Sequence, residues 1–141
     1  MRLSGSSATT VQRCGLGWIV FAPLLWFFAA VAKMGSATEY RIQLSAFSLV
    51  AAVGFTSGIF GLCRFRWAGR GLLIASLVVS LYFFAAGAMF VVYPFLPWGG
   101  KKPDFALWEL GLAFGVAMFG LPFWLMADNV KRALRRSQRS N

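Results

Sequence analysis

The sequence is poor in the residues that carry catalysis. Among its 141 residues there is no histidine, and Asp and Glu together number only four, against 14 Lys and Arg. Histidine is the commonest acid–base catalyst and metal ligand in proteins. The chain also lacks a phosphate-binding loop and a nucleophile motif. We therefore expect a protein that is not an enzyme and that uses no cofactor and no bound metal.

Cysteine is scarce as well. Cys14 and Cys63 are the only two. Each lies at one end of an apolar run, and we predict that both of these ends lie on the cytoplasmic side of the membrane. That compartment is reducing, so we expect free thiols and no structural disulfide. Two thiols without histidine cannot complete a tetrahedral zinc site.

Charge is low and unevenly distributed, because long apolar runs alternate with short charged segments. Only 13% of residues are charged and 59% are hydrophobic, and the mean hydropathy is +0.68. The apolar runs cover residues 15–32, 42–63, 71–93 and 105–127. Each has about 20 residues, enough for a helix to cross a hydrocarbon core of about 30 Å. Continuous runs favour helices over a membrane barrel. The sequence thus predicts an all-α integral membrane protein built as a four-helix transmembrane bundle.

The connections between these runs are short, and none has room for a folded domain. Neighbouring helices should therefore form antiparallel hairpins. We predict a single transmembrane domain over residues 15–127, preceded by a cytoplasmic tail of residues 1–14 and followed by a basic cytoplasmic tail of residues 128–141. A cleaved signal peptide ending at Ala32 is an alternative for the first run, although Trp18, Pro23 and Trp26 are unusual in such a peptide.

Lysine and arginine predict the orientation of the chain. Four of the 14 basic residues would lie on one side of the membrane, namely Lys33, Arg41, Lys101 and Lys102, and all the others on the opposite side. Because short cytoplasmic loops carry an excess of Lys and Arg, both termini should be cytoplasmic. Tryptophans near the predicted helix ends match an interfacial aromatic belt; they are Trp18, Trp67, Trp98, Trp108 and Trp124.

Small residues recur at helical spacing in three of the four runs. Small side chains let helix backbones approach closely, which is how helices associate in lipid. The candidate helix-packing residues are Ala51, Gly54, Gly58 and Gly61 in the second run, Ser76, Ser80 and Gly87 in the third, and Gly111 and Gly115 in the fourth. The spacing does not distinguish packing within the chain from self-association or contact with a partner helix.

The net charge of +10 is concentrated at membrane edges, which argues against a nucleic-acid partner. The C-terminal tail follows directly on the last apolar run, and basic residues beside a bilayer are attracted to anionic lipid at about 1 kcal/mol each. We predict that anionic head groups contact Lys131, Arg132, Arg135, Arg136 and Arg139.

Glu109 is the one carboxylate well inside an apolar run. An ionisable residue in a membrane segment is a functional candidate because its burial is costly. Its place near the start of the last helix, where the helix dipole favours negative charge, also fits an ordinary helix-end residue. The alternative makes Glu109, with Gln43 at a similar depth, a proton or cation site.

Two functions follow from these patterns, and no motif identifies a family. The first is a non-catalytic accessory or scaffold subunit in the bacterial cytoplasmic (inner) membrane that acts through helix packing, either with further copies of itself or with a partner membrane protein. The alternative is a small oligomeric transporter or channel that uses Glu109.

Overall fold

The computed structural model describes residues 5–31, 37–92 and 107–139. Within these ranges the side chains of residues 90, 107–109 and 139 lie outside the description. The described backbone is helical apart from a short corner at residues 63–65 and contains no β-strand. The helices are α1 (Gly5–Val31), α2 (Ala37–Leu62), α3 (Arg66–Val92) and α4 (Leu107–Arg139).

All four helices are long and apolar enough to cross a membrane. The qualifying segments are Gly5–Val31, Ala37–Leu62, Arg66–Met89 and Leu110–Gln138. An all-helical chain with four such segments is what we expect of a small multi-pass membrane protein. The shortest of them has 24 residues, so each exceeds the roughly 20 residues that a hydrocarbon core requires.

Two helices extend well beyond the apolar runs. Helix α1 begins at Gly5 rather than at residue 15, and α4 continues to Arg139 rather than ending near residue 127. The 33 residues of α4 correspond to about 50 Å at helical rise. The segments that we predicted as tails are therefore helical over most of their length, because each carries apolar residues that pack: Val11 near the start, and Val130 and Ala133 near the end, are buried.

Side-chain size separates the inside of the described structure from its outside. Alanine, glycine and serine make up most of the buried positions, with Trp18 and Leu72 as the largest fully buried side chains. Large apolar side chains point outward; Phe28 and Phe114, for example, are each 68% exposed. A water-soluble protein rarely exposes so much contiguous apolar surface. Small residues inside and large apolar residues outside are typical of helices that pack in lipid.

The chain divides into two compact units. Unit 1 comprises Met1–Ser76 and Met126–Asn141, and unit 2 comprises Leu77–Leu125. Unit 1 therefore contains α1, α2, the first part of α3 and the last part of α4. Unit 2 contains the remaining parts of α3 and α4.

At one end of unit 1, parts of all four helices come together around Val11. A Cβ placed on Gly61 of α2 would lie 3.5 Å from Val11 Cγ1, and a Cβ placed on Gly69 of α3 would lie 3.7 Å from Val11 Cγ2. The same position on Gly69 is 3.0 Å from Leu134 Cδ2 of α4. We call this the basic end of unit 1. Its arginines and lysine are Arg13, Arg64, Arg66, Arg70, Lys131, Arg132, Arg135 and Arg136.

The corner between α2 and α3 is a Schellman motif with an arginine at its left-handed position. Arg64 has φ = 63°; its N–H donates to Gly61 O at 3.0 Å, and the N–H of Phe65 donates to Phe60 O at 3.3 Å. The rings of Phe60 and Phe65 meet edge to face with centroids 6.0 Å apart. This is the apolar contact that usually accompanies the motif. In addition, Gln12 Nε2 of α1 donates to Leu62 O at 2.9 Å, so the last carbonyls of α2 have partners.

Candidate functional site

Helices α1 and α2 meet through glycines. A Cβ placed on Gly15 would lie 2.8 Å from Gly58 O, and a Cβ placed on Gly58 would lie 2.8 Å from Gly15 O. Farther along α1, the indole ring of Trp18 occupies the space that a side chain at Gly54 would need. Ala51, Gly54, Gly58 and Gly61 are all buried. Gly54, Gly58 and Gly61 thus lie against α1 within unit 1, and at Gly54 and Gly58 an added Cβ would come closer than van der Waals contact allows.

A buried hydrogen bond joins α1 to α3 in the same unit. Trp18 Nε1 donates to Ser76 Oγ at 2.8 Å, and both residues are fully buried. In the same unit, the Ser57 side chain of α2 fills the space beside Gly71 of α3. Trp18 therefore lies in the protein interior and not in an interfacial belt, whereas Trp67 and Trp124 are 52% and 46% exposed. The side chains of Trp98 and Trp108 lie outside the described residues.

In unit 2, α3 and α4 meet through a second set of small residues. A Cβ placed on Gly87 would lie 2.8 Å from Ala113 O and 3.0 Å from the Ala117 side chain. A Cβ placed on Gly120 would lie 3.0 Å from Ser80 O. The hydroxyl of Ser80 donates to Leu77 O of its own helix at 2.9 Å. Ser80 and Gly87, but neither glycine of the predicted α4 pair, contribute to this seam.

Gly111 and Gly115 lie on an open side of α4. Apart from the adjoining backbone of α4 itself, no described atom comes within 4 Å of a Cβ placed on either glycine. Gly111 is exposed, Gly115 is half-buried, and the neighbouring Phe114 is exposed. The buried small residues of this part of α4 are Ala113 and Gly120. Of the small-residue positions that the sequence singles out, this pair alone has no covering helix in the described structure.

Glu109 and Gln43, the two residues of the predicted ion site, are not brought together in the described part of the structure. The backbone of Glu109 belongs to the first turn of α4, but its side chain lies outside the described residues. Gln43 is exposed on α2. The two residues belong to different compact units.

The basic C-terminal residues form the last turns of a helix. Arg132 makes an ion pair with Asp128, one turn earlier on α4. Lys131, Arg135 and Arg136 are exposed, and the side chain of Arg139 lies outside the described residues. Since Ala127, Val130 and Ala133 are buried on the opposite face of this segment, the cations project from a helix end that packs within unit 1.

A polar pocket of about 100 Å³ opens between the start of α1 and the end of α4, both in unit 1. Its polar lining residues are Ser6, Ser7, Thr10, Asn129, Arg132 and Arg136. This pocket was not predicted from the sequence, because the polar composition of residues 1–14 is that of a tail. A signal was present: Ser7, Val11, Cys14 and Trp18 recur at three- and four-residue intervals, the period of one buried helix face.

Within the described ranges, no group of three or more His, Cys, Asp or Glu residues is close enough to hold a metal ion. The two thiols are free, with Cys14 buried and Cys63 exposed.

Comparisons of the chain with protein-family models, with curated proteins and with solved structures found no match. Its function must therefore be inferred from the contacts, burial and charge of its own residues.

Proposed function

We propose that this chain is a non-catalytic accessory or scaffold protein of the membrane, and that it binds another transmembrane helix on the Gly111–Gly115 side of α4. The observation that carries the proposal is the contrast between the two kinds of small-residue positions. Those on α2 and α3 are covered by neighbouring helices, whereas Gly111 and Gly115 are open among the described residues. A smooth helix surface allows the close backbone approach by which helices associate in lipid.

The contacts also support the topology that we propose. Along α1, Val11, Gly15 and Trp18 face Gly61, Gly58 and Gly54 of α2 in turn, which is the order expected of an antiparallel pair. The start of α1 and the end of α4 share the polar pocket. Both termini would then lie on one side of the membrane, together with the basic corner between α2 and α3. By the excess of positive charge, that side is the cytoplasmic one, and we take the membrane to be bacterial.

Anionic lipid is the second proposed partner. The exposed cations at the end of α4 lie just beyond its apolar run, at the depth where negative head groups would be. Their attraction to lipid would orient the chain and need not select a particular lipid species.

The proposed helix contact can be tested with Gly115→Leu. Because a Cβ on Gly115 would meet no described atom beyond the adjoining backbone of α4, leucine should leave the fold intact but prevent a second helix from approaching. Ala52→Leu, at an exposed small residue of α2, is the matched control. We expect Gly115→Leu, but not Ala52→Leu, to abolish the complex seen by native gel after mild solubilisation. Disulfide cross-linking through Gly115→Cys then distinguishes a second copy from a different partner.

A second variant, Glu109→Gln, assayed in the same way, distinguishes the scaffold proposal from the alternative of a transporter or channel. Glu109→Gln should leave the complex unchanged if Glu109 is an ordinary helix-end residue. A complex that survives Gly115→Leu would contradict the scaffold proposal. Loss of a transport phenotype in a well-expressed Glu109→Gln variant would favour the carrier instead.

A further inference from the structure

The pocket between α1 and α4 has the composition of an anion site. Three hydroxyl residues of α1 line one side, and Asn129, Arg132 and Arg136 of α4 line the other. Its volume of about 100 Å³ exceeds the roughly 10–15 Å³ of cavity that one water molecule needs. No carboxylate lines it within the described structure. A tetrahedral oxyanion needs several hydrogen-bond donors, and Ser6, Ser7, Asn129 and the two arginines are residues whose side chains can donate.

Ser7 supplies an independent indication of a ligand. Its side chain lines the pocket and is only 7% exposed. Within the described residues its hydroxyl has no hydrogen-bond partner, whereas the neighbouring Thr10 hydroxyl donates to Ser6 O at 3.0 Å. Buried polar groups are nearly always hydrogen-bonded, and an exception requires an explanation. A ligand oxygen in the pocket would accept from this hydroxyl.

The charge of the pocket fits an anion. Arg136 makes no ion pair within the described residues. Arg132 pairs with Asp128, but a guanidinium has five N–H donors, so one carboxylate does not exhaust it. The pocket also lies at the first turns of α1, and the N-terminus of a helix carries partial positive charge.

From these features we infer that the pocket binds a phosphate group. It is formed by the polar ends of the two helices, since the apolar run of α1 starts at Gly15 and that of α4 ends at Ala127. A phosphate could therefore come from a lipid head group at the membrane edge or from the aqueous phase. The site is local, unlike the diffuse attraction of the whole basic tail to lipid, and it does not depend on the helix contact proposed for α4.

The test uses the full chain purified in a neutral detergent, with two probes titrated by calorimetry. Inorganic phosphate represents the soluble source, and dioctanoyl phosphatidic acid represents the head group. Dioctanoyl phosphatidylcholine, which has no net charge, is the reference lipid. Arg136→Gln removes a pocket cation, and Arg135→Gln removes an exposed cation from the same turn that does not line the pocket.

We expect Arg136→Gln to weaken binding about tenfold, as the loss of a charge-assisted hydrogen bond should, and Arg135→Gln to change it less than twofold. Ser7→Ala should weaken binding several-fold and yet raise the melting temperature of the ligand-free protein, because it removes a buried hydroxyl without a partner. If both probes bind, phosphate itself is the ligand; if phosphatidic acid alone binds, the ligand is a lipid head group.

Three results would overturn the inference. One is that neither probe binds the unaltered chain. Another is that Arg135→Gln and Arg136→Gln weaken binding equally, which diffuse charge would produce. The third is that Ser7→Ala leaves the affinity unchanged.

Discussion

Gly15 and Gly58 lie against each other's backbone, each presenting its carbonyl oxygen to the Cα of the other. A Cβ on either residue would lie 2.8 Å from the facing oxygen, closer than van der Waals contact allows. The approach of α1 to α2 is therefore limited by the backbones themselves at this position. Such contact maximises dispersion and brings Cα–H groups near carbonyl oxygens, which adds a weak favourable interaction.

We predict that Gly15→Ala destabilises the protein by about 1–3 kcal/mol, the usual cost of overpacking, because the added methyl meets a backbone oxygen that cannot yield. Gly17→Ala is the control: its methyl would meet only the end of the Met126 side chain, which can change rotamer. Both changes gain about 1 kcal/mol of helix propensity. Unfolding in mixed detergent micelles measures the difference in free energy of unfolding between the two variants. Equal values would refute a rigid backbone contact between Gly15 and Gly58.

The Trp18–Ser76 hydrogen bond should contribute measurably to stability. Ser76→Ala removes the acceptor for a fully buried indole N–H, so we expect a loss of about 1–3 kcal/mol. Ser80→Ala, equally buried on the same helix, should cost less than about 1 kcal/mol, because among the described residues the Ser80 hydroxyl bonds the backbone of its own helix alone. A comparable loss in both variants would mean that packing alone matters at Ser76.

Arg64 occupies a backbone conformation that costs a residue with a Cβ about 1 kcal/mol or more. Arg64→Gly should therefore stabilise the protein by about 0.5–1 kcal/mol, since glycine is the preferred residue at this position of a Schellman motif. Arg70→Gly removes the same charge from within α3 and should destabilise by about 1 kcal/mol. We therefore expect the two variants to change the free energy of unfolding in opposite directions, measured by thermal or detergent unfolding. If Arg64→Gly destabilised the chain, the arginine side chain would have a role that outweighs the strain.

The two cysteines should differ sharply in reactivity. Cys63 is exposed at the corner between α2 and α3, and Cys14 is buried on α1. A membrane-impermeant maleimide should therefore label Cys63 in the native protein and reach Cys14 only after denaturation. With the basic end in the cytoplasm, labelling should require inverted vesicles. Labelling of Cys63 in intact spheroplasts would reverse the proposed topology, and Cys63→Ser controls for the site of modification.

Much of the fold could be predicted from composition, because long apolar runs have few structural solutions in lipid. The existence of the four helices follows from this constraint alone. Their ends do not. The first residues of α1 are polar by composition, so hydropathy assigns them to a tail, although Val11 lies at the centre of a packed helix end. Val11 packs there beside Gly61 and Gly69, a set of contacts that hydropathy does not report.

The positions of individual side chains were harder to predict. Glycine spacing is the same on α2 and α4, yet Gly58 is covered and Gly111 is open in the described structure. Spacing defines a smooth face but does not say what lies opposite. For the same reason Trp18, whose indole suits a membrane interface, is found inside the protein, where Gly54 leaves room for its ring and Ser76 accepts its N–H.

Small residues lie inside this protein and large apolar residues lie outside, and this arrangement has a consequence for evolutionary change. Where outward-facing leucines, isoleucines and phenylalanines meet only fluid acyl chains, substitution of one by another should be nearly neutral over many generations. At Gly15, Gly54 or Gly58 a single extra carbon is a steric clash. Sequences descending from this one should therefore drift fastest at their bulkiest positions and slowest at their smallest, the reverse of the pattern in water-soluble enzymes, whose large core residues change least.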